Sequence, residues 1–226
     1  FWCHLMNLEL KKRIITSLIL ISTLVSMFLH TYILIIGLII ITIITWIEFY
    51  GLVTKIFAIK NIKNSYLRFF FKAFSLIYLT LLAYAIISTK TTNSDLEIII
   101  IYSILISIMT DIGGFIVGKT LGGKKLSKIS PKKTISGSVG SFIFSILLVP
   151  LFIENMENYS LLGLIFLTIL ISFVSQMGDL FISILKRKAD VKDTSNLLPG
   201  HGGVLDRIDG MIFAIPCGIM LFKIFN

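Results

Sequence analysis

The chain has 226 residues, of which 56% are hydrophobic and only 15% charged, and its mean hydropathy is +0.95. Soluble domains carry about 45–50% apolar residues, so the composition excludes an ordinary soluble fold and predicts an all-α integral membrane protein. Cys3 and Cys217 are too few for a disulfide framework or a zinc site, and the net charge of +9 sits in short loops between apolar runs, where it reports topology and anionic headgroups rather than nucleic acid.

A bilayer core of about 30 Å takes about 20 apolar residues per helical span. Met6 is a candidate start, followed by a polar segment ending in Lys11, Lys12 and Arg13 and then an apolar run. No small-residue cleavage site follows, so the first span is expected to be retained. Seven apolar segments are predicted to span the membrane, at about 14–30, 32–50, 69–88, 97–118, 137–153, 160–185 and 208–225. Together they make a polytopic bundle of about seven transmembrane helices with cytoplasm-facing catalytic loops, in a single integral membrane domain covering 1–226. The connections are basic at 51–68, polar at 89–96, basic at 119–136, acidic at 154–159 and basic at 186–207. The positive-inside rule then places the N-terminus and the basic loops in the cytoplasm. His30 and Thr31 fall in one external turn, Glu154 and Glu157 in another, and the C-terminus lies outside. The segment at about 14–95 has no polar cluster tied to chemistry and reads as scaffold, whereas about 97–226 is the catalytic half. No internal repeat or linker marks a second domain.

The first unusual element runs from Asp111 to Gly123. An acid at that depth calls for a polar cavity, and Lys119 follows about 12 Å along the helix. Gly113, Gly114 and Gly118 suit small-residue helix packing, at least two of them in particular. Next come Ser130, Pro131, Lys132, Lys133 and Thr134, then Ser136 to Gly140. Two lysines beside hydroxyls at the start of a glycine-containing segment suit a triphosphate. Lys124, Lys125 and Lys128 are accounted for by topology or anionic lipid, and no P-loop motif occurs.

On a helix, Gln176, Asp179, Ser183, Lys186 and Arg187 share one face, a polar stripe running down to the cytoplasmic surface. A charged Asp costs about 2.5–3.5 kcal/mol at a transmembrane helix centre, so Asp179 needs a partner, either a stabilising Lys or a ligand. Asp206 and Asp209, spaced i and i+3, open the last span and are able to face the same side as Asp179. Three converging carboxylates without cysteine point to Mg²⁺, although Asp206 taken alone also suits ordinary helix capping. Gly200, Gly202 and Gly203 surround His201 and allow positive φ, a phosphate seat in which His201 donates a hydrogen bond or moves a proton. A merely solvated histidine is the plain alternative.

The run through Ser183, Lys186, Arg187, Lys192, Asp193, Ser195, Pro199, His201, Gly202, Gly203, Asp206, Arg207 and Asp209 resembles the signature of phosphatidate cytidylyltransferases. Gln176, Gly178 and Asp179, the Asp111 element and the Ser130 to Thr134 loop are similar to that family in order and spacing. The N-terminal spans resemble it only in being hydrophobic. Ser136 stands where the family usually has Glu, and Gly114 and Phe115 stand where Ala and Tyr are common.

The resemblance implies cytidylyl transfer from CTP to phosphatidic acid, giving CDP-diacylglycerol and pyrophosphate, in a multi-pass protein of the bacterial inner membrane. It implies Asp179, Lys186, Arg187, His201, Asp206 and Arg207 as catalytic residues. Ser130, Lys132, Lys133, Thr134, Lys192, Gly202 and Gly203 are implied as nucleotide-binding, and Asp179, Asp206 and Asp209 as Mg²⁺ ligands, Asp209 more weakly. The nucleophile is an anionic phosphate oxygen, so the chemistry asks for charge neutralisation and alignment rather than a strong base. The family admits a homodimer. A related transferase acting on another lipid is the alternative; a transporter would show broken spans in two related halves, and the breaks here fall in the second half alone.

Overall fold

The computed structural model describes residues 2–57, 62–92, 94–126, 130, 133–156 and 159–225. Among them the regular structure is helical: α1 (Trp2–Leu29), α2 (Thr31–Ile56), α3 (Ile62–Thr92), α4 (Ser94–Leu121), α5 (Ile135–Ile146), α6 (Val149–Phe152), α7 (Leu161–Lys188), α8 (Leu205–Ile208) and α9 (Met211–Phe225). Five stretches are long and apolar enough to cross a membrane, namely Thr31–Ile56, Asn64–Thr91, Glu97–Leu121, Ile135–Phe152 and Leu161–Lys188, and Ile14–Leu29 is a shorter apolar helix. These, with α9, follow the seven apolar segments of the sequence and make the chain an all-helical, multi-pass membrane protein. Outward rows of large apolar side chains suit lipid contact: Ile36, Ile40, Ile43 and Ile47 on α2, and Phe70, Phe74, Ile77 and Leu81 on α3.

Two connections are shorter than the sequence suggests. α2 runs to Ile56 and α3 starts at Ile62, so most of the basic segment 51–68 is helical. Lys and Arg are good helix formers, and Gly51 alone does not break the run. Likewise α3 and α4 leave no loop of length at 89–96, where Lys90 and Glu97 form an ion pair. Pro131, Lys132, Lys128 and Glu157 lie outside the described residues.

The chain divides into two compact units. The first comprises 1–88 and 185–208, the second 89–184 and 209–226. In the first, α2 buries Leu34, Thr45, Glu48, Leu52 and Val53, and His30 links α1 to α2 in extended backbone, as the expected tight turn requires. The Trp46 indole donates to the Lys72 carbonyl of α3 at 3.2 Å, and the Lys72 ammonium stands 3.2 Å from the Tyr50 ring centroid.

In the second unit, α4 and α5 approach closely because both present glycine. A Cβ on Gly113 would meet the Gly140 carbonyl at 2.6 Å, and one on Gly137 would meet that of Gly114 at 2.8 Å. Buried hydroxyls then join the helices. Tyr102 bonds Thr168 at 2.5 Å, Ser107 bonds Ser175 at 2.7 Å, and Thr110 bonds both Ser145 at 2.9 Å and Ser172 at 2.8 Å. Away from water, such hydroxyls supply the directional contacts that apolar side chains lack.

Candidate functional site

The second unit holds a cleft of about 280 Å³ lined by α4, α5, α7 and the segment before α5. Thr134 caps α5 in extended backbone, its hydroxyl accepting from Gly137 N at 3.1 Å, which directs the positive end of a twelve-residue helix to this region. The preceding segment folds back on the end of α4: Ile135 N donates to Lys124 O at 3.0 Å, and Leu126 N to Lys133 O at 2.8 Å. That turn places Lys133 in an ion pair with Asp179 of α7, whose other oxygen accepts from Ser183 at 3.3 Å. Ser138 donates to Gln176 Oε1 at 2.5 Å, while Gln176 Nε2 is buried without a hydrogen-bond partner. Asp111, Ser130, Thr134 and Ser141 also line it. The cleft thus gathers four of the expected residues, Ser130, Lys133, Thr134 and Asp179, with Asp111 and Gln176. Asp179 has taken the lysine partner that was one of its two alternatives.

In the first unit, the segment after α7 is wound around two carboxylates. α7 ends in a Schellman turn: Val191 N reaches Lys186 O at 3.0 Å, Asp190 N reaches Arg187 O at 3.2 Å, and Asp190 has φ +54°. Lys186 Nζ donates to Asp206 Oδ1 at 2.6 Å. Asp206 Oδ2 faces Thr194 N at 2.8 Å, Thr194 Oγ1 at 2.9 Å and Gly203 N at 3.0 Å. Burial by itself would raise the Asp206 pKa; the hydrogen bond from Lys186, the N–H groups of Thr194 and Gly203 and the Lys186 charge outweigh it, and the net shift is downward.

The second carboxylate comes from the segment read as scaffold. Glu48 of α2, 6% exposed, accepts from Ser195 Oγ at 2.6 Å and Val204 N at 3.1 Å through Oε1. Its Oε2 accepts from Leu205 N at 2.7 Å and lies 3.0 Å from Thr194 Oγ1. Thr194 has one hydroxyl proton, so it serves Glu48 and Asp206 alternately. The signal for Glu48 was a single acid inside an apolar run, which by cost alone demands buried partners.

Between these anchors the chain turns at Leu198 to Gly202, with Leu198 N on Gly202 O at 2.8 Å and positive φ at Gly200 and Gly202, as expected of both glycines. Gly203 differs: a Cβ there would lie 2.0 Å from Thr194 Oγ1 and 2.6 and 2.7 Å from the Glu48 oxygens, so that glycine makes room for the hydroxyl and the carboxylate together. His201 does not project freely. Its Nδ1 lies 2.8 Å from Thr16 Oγ1 and its Nε2 3.3 Å from Ser17 Oγ, both on α1, and its carbonyl accepts two hydrogen bonds from Arg207 at 3.0 and 2.7 Å. Lys192, Asn196, His201, Gly202 and Arg207 line a polar depression of about 530 Å³. Arg187 is exposed and donates to Val191 O at 3.3 Å.

Of the three aspartates expected as metal ligands, Asp206 belongs to the first unit and Asp179 and Asp209 to the second. Among the described residues no group of three or more His, Cys, Asp or Glu side chains gathers to hold a metal. Asp179 and Asp206 each have their own lysine, and Asp209, 7% exposed, accepts from Gly210 N at 2.9 Å.

The model of the cytidylyltransferase family matches residues 2–225. A phosphatidate cytidylyltransferase of Bacillus subtilis is 40% identical over 129 residues, covering 56% of this chain and 48% of that protein. One from Staphylococcus aureus strain COL is 45% identical over 123 residues, 52% of this chain and 46% of that protein. Another, from Staphylococcus saprophyticus, is 39% identical over 158 residues, 67% and 60% of the two chains. The matched region is thus about half the length of the first two relatives.

Proposed function

The chain belongs to the cytidylyltransferase family, and from that premise we propose that it transfers the cytidylyl group of CTP to phosphatidic acid. An anionic phosphate oxygen of the lipid attacks the α-phosphorus of CTP, the bond from that phosphorus to the β-phosphate bridge oxygen breaks, and pyrophosphate leaves with the electron pair. CDP-diacylglycerol is the lipid product, and no strong general base is needed because the attacking oxygen is already deprotonated. The observation that carries this reading is the cleft in the second unit, which sets Lys133 beside the capped N-terminus of α5. A lysine and a helix N-terminus together offer positive charge and N–H donors to phosphate oxygens. In the first unit, Lys192 and Arg207 offer a second cationic surface.

The cleft donors fit a hard cation: the carboxylates of Asp111 and Asp179 and the hydroxyl of Ser183 line it, without sulfur or imidazole. Mg²⁺ would be held by Asp179 with Asp111, where it would supply charge stabilisation for the departing pyrophosphate. Asp206 is not among the residues that line this cleft; in the first unit its oxygens face Lys186, Thr194 and Gly203. The same reading places the protein in a bacterial inner membrane with the site open to cytosolic CTP, and admits a homodimer.

The test is purified protein in detergent with phosphatidic acid, radiolabelled CTP and Mg²⁺. Labelled lipid that disappears on chelation is the expected result. No labelled lipid at any metal concentration defeats the reading, and label entering an isoprenoid phosphate instead would move it to the alternative acceptor.

A further inference from the structure

We propose that Glu48 is a positioning residue: its buried carboxylate ties the segment 194–205 to α2 and so sets the shape in which Lys192, His201 and Arg207 meet an anionic substrate. The proposal rests on the cytidylyl-transfer reading above and concerns a residue outside the stretches that resemble the family signature.

Three observations carry it. Glu48 accepts from two backbone N–H groups, Val204 and Leu205, and faces two hydroxyls, Thr194 and Ser195, all within 3.1 Å. Only a carboxylate accepts at both oxygens. A glutamine has one carbonyl oxygen, and its NH₂ would confront a donor on the other side. Second, the loop keeps its own closure without Glu48, through the Leu198 to Gly202 turn and through Asp206 to Thr194 and Gly203. Glu48 therefore adds a tether to α2 rather than the loop's local fold. Third, Gly203 leaves the space that Thr194 Oγ1 and both Glu48 oxygens fill, so the carboxylate and the hydroxyl it meets are accommodated only because that position has no side chain. The lining of the depression is continuous in chain with the tethered segment, from Lys192 at one end to Arg207 at the other. A misplacement of about 1 Å in such a surface is enough to weaken a bound phosphate by an order of magnitude or more.

Wild-type protein is assayed first, and an inactive wild type defeats the reaction reading; amide exchange then judges the tether by itself. In Glu48→Gln, exchange at Val204 and Leu205 is expected to accelerate about tenfold while α4 and α7 exchange as before. KM for CTP or for phosphatidic acid is expected to rise about fivefold or more, with a smaller change in kcat. A purely structural role would reduce the folded fraction and leave both KM values in place. If Glu48→Gln does not fold, Ser195→Ala, which removes one bond to Oε1, is expected to give the same pattern at smaller size. Unchanged exchange, or faster exchange with unaltered KM values, overturns the proposal.

Discussion

Lys186 Nζ lies 2.6 Å from Asp206 Oδ1, and these two side chains, only 12% and 4% exposed, join the end of α7 to the start of α8. The same carboxylate holds Thr194 and Gly203 with its other oxygen, so one acid closes a loop of about twenty residues.

The acid stability of that loop follows from the direction of the Asp206 shift. Burial opposes the charge, but Lys186 and the N–H groups of Thr194 and Gly203 prevail and hold the pKa below the ordinary aspartate value. A carboxylate with a depressed folded pKa adds stability that is complete above its unfolded pKa and is lost as pH falls through the folded one. Protection of the Thr194 and Gly203 amides is thus expected to persist at pH values where an ordinary aspartate is already titrating, and to be lost only in more acidic solution. Opening at about pH 5, above an ordinary Asp pKa near 3.9, would contradict this.

Lys186→Met should remove the ion pair and leave a buried carboxylate supported by neutral donors. The expected cost to the loop is about 1.5–3 kcal/mol, and the Asp206 pKa should move upward. Exchange at Gly203 as a function of pH reads both quantities.

Asp179→Asn keeps the size of the side chain and removes the charge that pairs with Lys133. Turnover is expected to fall by about 10²-fold or more, the scale of losing one electrostatic stabiliser. Purified protein with normal melting and near-full turnover would show that Asp179 serves packing alone.

Gly113→Ala tests the α4 and α5 crossing. The added methyl would stand 2.6 Å from the Gly140 carbonyl and 2.7 Å from Phe144 Cβ, neither of which yields without moving a helix. A loss of about 1–3 kcal/mol is expected in detergent unfolding. At Gly122, where φ is +59° and a Cβ would meet no atom within 4 Å, alanine is instead strained by backbone conformation.

Thr110→Val deletes the hydroxyl that joins α4 to Ser145 and Ser172. Interhelical bonds of this kind contribute about 0.6 kcal/mol each on average, so a loss of about 1 kcal/mol is expected. Thermal unfolding in detergent measures it, and no change would mean that Ser145 and Ser172 satisfy each other across their own 3.1 Å contact.

Hydropathy alone determined the class of this protein and its apolar segments, because a span must be long and apolar whatever its neighbours are. The glycines of α4 declared themselves in the same way: small residues at helical spacing are legible as a packing stripe. Hydroxyl spacing carried a further message that hydropathy hides. Ser103, Ser107 and Thr110 recur at i, i+4 and i+7, as do Thr168, Ser172 and Ser175, and Ser107 with Thr110 meets Ser175 with Ser172 across the helix pair. The residue types of the signature pointed to phosphate chemistry, and Lys133 with Asp179 did come together in one cleft.

Pairing was the part that the sequence did not contain. Spacing shows which side chains share a helix face, but a carboxylate's partner is set by whatever another segment delivers to it. Asp206 taken alone therefore suited a cap as well as a metal ligand, its pairing with Asp209 favoured the metal, and neither reading named Lys186, Thr194 and Gly203 as the groups at its oxygens. His201 read either as a phosphate donor or as a solvated histidine, and nothing local announced the Thr16 and Ser17 hydroxyls at its ring nitrogens. Glu48 lay 146 residues before Thr194, in a segment that local pattern marks as scaffold. Burying it is tolerable only because a distant loop brings four donors to it, and that return of the chain is a property of the tertiary structure.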